Sequence, residues 1–187
     1  MDHVPTPSAT VGPFLHIGLT GKHSVTQLAS ADTTGERVSL RCRVFDAKNT
    51  PVNDAMIEIW QADIEGRYKS ATDQKSQVSF SGFGRAATNE TGCCDFESIK
   101  PGRVPAADGG LQAPHISIAI YGRGISLQLY TRLYFAGDPA NEQDPVLALV
   151  PESRRQTLLA QPDASRANGW QFDIHLRGEN ETVFFYV

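Results

Sequence analysis

The chain has 187 residues, 40% hydrophobic and 20% charged, with a formal net charge of −4. That length suits one domain with a real core, and the mildly acidic balance gives no electrostatic reason to expect a nucleic-acid partner. No run approaches the roughly 18 apolar residues of a membrane span, and MDHVPTPSAT lacks the basic-then-apolar order of a signal peptide.

The first dozen residues, rich in Pro, Thr and Ser, read as an arm that stays extended unless something holds it. From there alternation dominates. VSLRCRVFD places Val38, Leu40, Cys42 and Val44 on one face, and after the turn residues of AKNTPV the segment AMIEIWQAD resumes the pattern. These two segments read as adjacent strands joined by a short connection. TNETG is a further turn, followed by the strand-like CCDFESI and the stop KPG. Three cysteines, two of them the neighbours Cys93 and Cys94, suit neither a disulfide framework nor a CxxC zinc site; reduced thiols in a cytoplasmic protein are the simplest reading.

APHISIAIYGRG puts His115 and Ser117 on one face of a strand and Ile116, Ile118 and Ile120 on the other. ISLQLYTRLYF (125–135), WQFDIHLRG (170–178) and the closing ETVFFYV (181–187) read as further strands. The best helix candidate is PESRRQTLLAQ (151–161), with Arg154 and Arg155 on its solvated face. The fold class is therefore all-β: a single-domain β-sandwich over 1–187 with one short helix and generous loops at 18–35, 66–84, 100–113 and 136–145.

The chemistry is sparse. A lone strand histidine such as His115 is more often packed than metallated, and Tyr68 in EGRYKS is by default a loop aromatic anchored by its hydroxyl. Arg123, flanked by glycines, is either a solvated turn charge or a fork for a carboxylate. HxxxH, GxSxG and phosphate-loop motifs are missing from the sequence, so hydrolase and nucleotide readings lack support.

TPSATVGPFLHIGL, VFDAKNTPVNDAMIEIWQAD, GRAATNETG, SIKPG, APHISIAIYGRGI, TRLYF and FDIHLRGENETVFF occur in the order found in intradiol ring-cleaving dioxygenases, whose fold is a β-sandwich. Within that family the chain resembles the alpha chains of the two-chain enzymes acting on 3,4-dihydroxybenzoate. In the catalytic beta chains, two tyrosines and two histidines hold Fe(III). The resemblance maps those positions onto Tyr68, Val104, His115 and Ser117, and replaces an arginine three residues before the first histidine by Gln112. Two of four ligands remain, so the resemblance implies no metal in this chain, with the Fe(III) cofactor held by a partner beta subunit.

The same resemblance makes residues 1–16 an arm lining an inter-subunit substrate pocket. Thr10, Gly12 and Pro13 form its wall, with Phe14 and His16 nearby, and Arg123 binds the substrate carboxylate. Arg132, the rival fork, sits in mid-strand and serves the sheet or an interface. The rival readings are a self-sufficient intradiol enzyme with displaced ligands and a non-catalytic sandwich module for binding or scaffolding.

Overall fold

A computed structural model describes residues 9–69, 80–107 and 109–186. Residues 1–8 of the arm, 70–79 of the 66–84 loop, 108 of the 100–113 loop, and 187 lie outside the described residues. Eight strands dominate: β1 (Arg37–Phe45), β2 (Met56–Trp60), β3 (Phe83–Ala87), β4 (Cys93–Ile99), β5 (His115–Tyr121), β6 (Leu129–Phe135), β7 (Leu159–Asp163) and β8 (Gly169–His175). They run in the order β3-β2-β5-β6-β7-β8-β1-β4. The two halves of this sheet fold face to face. Val38, Leu40, Cys42, Val44, Phe96, Phe172 and Ile174 from one half meet Ile57, Ile59, Ile116, Ile118, Ile120, Leu133 and Phe135 from the other in one core.

The sandwich is nearly a closed barrel. The segment at 25–29 bridges both free edges, pairing Val25 with Arg85 and Ala29 with Phe80 on one side and Gln27 with Glu97 on the other. Where the halves meet, β3 carries Gly84 because a Cβ there would lie within 2.9 Å of Leu28, Ile59 and Phe96. That close approach explains why the strand reads as loop: FGRAA has too little bulk to show alternation.

β1 and β2 are not neighbours, contrary to the sequence expectation. β1 lies between β8 and β4, whereas β2 lies between β3 and β5. Alternation marks a strand and its buried face but carries no information about its partner. The connection turns at Asp46, whose side chain accepts from the Lys48 and Thr50 amides, and then crosses to the other half.

The expected helix over 151–161 is a single turn, α3 (Glu152–Arg155), running through a 3₁₀ turn into β7. Pro162 sits in β7 beyond the two residues paired with β6, so its missing N–H costs nothing on that side. Arg154 and Arg155 are half-buried and donate to the carbonyls of Glu181, Val150 and Ala148, so they tie chain ends together instead of forming a solvated face. The described residues hold two further short helices, α1 (Phe14–Leu19) and α2 (Pro145–Ala148), each too short for a periodic signal. The strand expected from 125 begins at Leu129, and the closing strand is reduced to one bridge between Tyr130 and Phe185.

Candidate functional site

Two polar corners concern function, and each holds an arginine. The first gathers the end of the arm and the turn after β5. Pro13 fixes the backbone at the start of α1, whose first turn closes when the Leu15 amide donates to the Gly12 carbonyl at 3.1 Å. Positions 14–16 of the expected arm are thus already helical. Leu15 is buried, while Phe14 and Ile17 face outward.

Gly124 has φ +80°, a left-handed turn that suits glycine. Its amide donates to Thr10 Oγ1 at 2.9 Å, pinning the arm beside Arg123. Val11, Gly12, Pro13, His16, Asp54 and Arg123 then line an open cavity of about 310 Å³. Arg123 is 78% exposed, and its Nε donates to Asp54 Oδ2. The structure therefore brings Thr10, Gly12, Pro13 and Arg123 together. Asp54 takes the Nε edge, which leaves the terminal Nη edge facing outward for a further acceptor.

The second corner lies on the outer face of β5 and β6. His115 is buried, and its Nδ1 donates to the Ala113 carbonyl at 2.8 Å, which leaves the Nε2 lone pair turned toward Tyr68 Oη at 3.4 Å. Burial, helped by the nearby Arg132 charge, holds the imidazole pKa below its ordinary 6.5. Burial also pushes the Tyr68 phenol up, opposed by Arg132 and by a hydrogen bond with Ser117. Trp60 stacks nearly parallel on Tyr68, with ring centroids 6.2 Å apart.

Behind these groups, Asp144 is fully buried. It caps α2 by accepting from the Val146 and Leu147 amides, and also accepts from the Ala113 amide and the Tyr134 hydroxyl. Arg132, expected to serve the sheet or an interface, stands opposite Ser117 in the β5–β6 ladder. Its Nη1 donates to Gln112 Oε1 at 2.7 Å, inside this corner.

A family model described as Dioxygenase matches residues 11–178. The protocatechuate 3,4-dioxygenase alpha chain of Burkholderia cepacia is 41% identical over 195 positions, covering 97% of this chain and 97% of that one. The beta chain of the same enzyme from the same organism is 33% identical over 172 positions, covering 86% and 73%. This chain belongs to the intradiol ring-cleaving dioxygenases. Its fold is also that of the dioxygenase domain of a dioxygenase–carbohydrate-binding fusion from Streptomyces sp. SirexAA-E, with a TM-score of 0.63, 24% identity, and coverage of 92% and 99%.

Intradiol dioxygenases use non-heme iron, but the donors of this intradiol-type chain do not fit a ferric ion. Burial disfavours the Tyr68 phenolate, and the one available imidazole nitrogen lies 3.4 Å from its hydroxyl. Ser117 offers only a neutral hydroxyl and Val104 no donor at all. Among the described residues, no three His, Cys, Asp or Glu side chains cluster as a metal site.

Sequence reasoning missed Asp54 and Asp144. Asp54 lies two positions before Met56, and Arg123 two positions after Tyr121, with Met56 and Tyr121 paired across the β2–β5 ladder. Knowledge of that pairing is the signal that would have found it.

Proposed function

We propose that this chain is the alpha subunit of a protocatechuate 3,4-dioxygenase and completes the substrate pocket of a beta subunit that holds the ferric ion. The assembled enzyme would convert 3,4-dihydroxybenzoate and O2 to 3-carboxy-cis,cis-muconate, in the β-ketoadipate route of aromatic catabolism. It would act in the cytoplasm, where Cys42, Cys93 and Cys94, all free thiols, stay reduced. No described helix is long and apolar enough to cross a membrane.

The observation that carries this reading is the Thr10–Gly124 hydrogen bond, which sets the arm and Arg123 around one open cavity. Each group then has a task. Gly12 and Pro13 give a small, stiff wall that loses little entropy on closing over a ring. The Nη edge of Arg123 takes the substrate carboxylate as a bidentate pair and so selects which edge of the ring faces the partner. That is catalysis by orientation, with no proton transfer asked of this chain. Ring opening itself belongs to the partner subunit's iron.

Expression of the chain alone in iron-rich medium, with metal analysis and a visible spectrum, tests the division of labour. The expected result is no stoichiometric iron. A burgundy protein with a tyrosinate-to-iron band and one iron per chain would overturn it and favour a self-sufficient enzyme. Co-expression with a beta chain should yield a stable pair.

A further inference from the structure

The open cavity at the end of the arm holds a second nitrogen side chain besides Arg123. His16 lines it together with Val11, Gly12, Pro13, Asp54 and Arg123. Helix geometry puts it there. In α1 a residue three positions after Pro13 stands on the same face as Pro13, while Leu15 is turned inward and buried. The turn that carries His16 is held at both ends: its amide donates to the Pro13 carbonyl at 3.2 Å, and the buried Thr20 donates from Oγ1 to the His16 carbonyl at 3.0 Å. The His16 ring itself is exposed and makes no hydrogen bond or ion pair among the described residues.

Charge gives that ring a task. Asp54 is a full anion bonded to the Nε of Arg123, so the two together bring no net charge to the cavity. A carboxylate arriving at the Nη edge is drawn by the guanidinium and repelled by the carboxylate behind it. Val11, Gly12 and Pro13 have no side-chain donor to offset the repulsion, and Asp54 only accepts. His16 and Arg123 are therefore the two lining side chains that donate. A bidentate guanidinium occupies one lone pair on each carboxylate oxygen and leaves the others open. Imidazole, neutral or protonated, presents at least one N–H to fill one of them.

We infer that His16 is the second donor to the substrate carboxylate: Arg123 takes both oxygens through its Nη edge, and the His16 ring N–H completes one of them from the arm side. This rests on reading the cavity as the carboxylate end of the substrate pocket. It makes α1 part of substrate selection, since two separate segments of the chain grip one group.

The test uses the assembled alpha–beta enzyme with protocatechuate and unsubstituted catechol. His16→Ala should lower kcat/KM for protocatechuate about tenfold, chiefly through KM, and leave catechol unchanged. His16→Phe keeps a ring without a donor and should behave like His16→Ala. His16→Gln restores an N–H donor and should recover most of the loss. Should His16→Ala fail to assemble, the contrast between His16→Phe and His16→Gln carries the same comparison.

An unchanged protocatechuate-to-catechol ratio in His16→Ala overturns the inference. So does an equal loss on both substrates, or a His16→Phe enzyme that behaves as wild type. Arg123→Ala separates this failure from that of the underlying reading. A ratio that falls in Arg123→Ala but not in His16→Ala removes His16 alone, and a ratio that falls in neither removes the cavity from the carboxylate site altogether.

Discussion

The two arginine corners sit on the same half of the sandwich and are built in opposite ways. Arg123 lies in a turn, open to solvent, with one carboxylate on its Nε edge and a cavity beside it. Arg132 lies in mid-strand, half-buried, with its Nη1 bonded to Gln112 and Tyr134. An exposed guanidinium exchanges water for a ligand at little cost, whereas a sheltered one is fixed by the partners the fold supplies. The first corner is thus organised to receive an anion from outside, and the second is satisfied from within.

Changes at the open corner should alter catalysis and spare the fold, and changes at the sealed corner should do the reverse. The largest effect is expected from deleting residues 1–13: the assembled enzyme should lose turnover or show a much raised KM, with circular dichroism and Tm unchanged. Unchanged kinetics would remove the arm from the pocket. Next, Asp144→Ala strips four donors of their acceptor and should cost about 2–4 kcal/mol in denaturant unfolding, with iron per pair unaffected.

A smaller effect concerns pH. His115 has a folded pKa below 6.5, so the unfolded chain binds the proton first. The stability it contributes is full above pH 6.5 and is lost as pH falls through 6.5 toward the depressed value. The slope is at most about 1.4 kcal/mol per pH unit. His115→Asn should flatten that slope, and an unchanged slope would show that His115 does not carry it. The smallest change is Asp54→Asn, which loosens an exposed pair worth up to about 1 kcal/mol. It should raise KM by no more than roughly fivefold through a less fixed Arg123.

Much of this contrast was legible in the sequence, for identifiable reasons. Strands such as VSLRCRVF announce themselves because one face is wholly buried, and the ordered motifs pointed to Thr10, Gly12, Pro13 and Arg123. What stayed hidden depended on pairing. The Asp54–Arg123 and Ser117–Arg132 juxtapositions follow from the β2–β5 and β5–β6 registers, which alternation does not encode. β3 was obscured by Gly84, which its neighbours make necessary, and the first residues of β7 fall inside the expected 151–161 helix.

The ratio of kcat/KM for protocatechuate to that for unsubstituted catechol, measured in the assembled enzyme for wild type and Arg123→Ala, tests the central claim most directly. Losing a charge-assisted bidentate pair in a sheltered pocket costs about 2–5 kcal/mol, so the ratio should fall roughly 30-fold or more. Arg123→Lys should recover only part of it, because a point charge does not replace the fork. Iron content and the resting spectrum should stay as in wild type. A ratio unchanged by Arg123→Ala would contradict the account and place the carboxylate elsewhere.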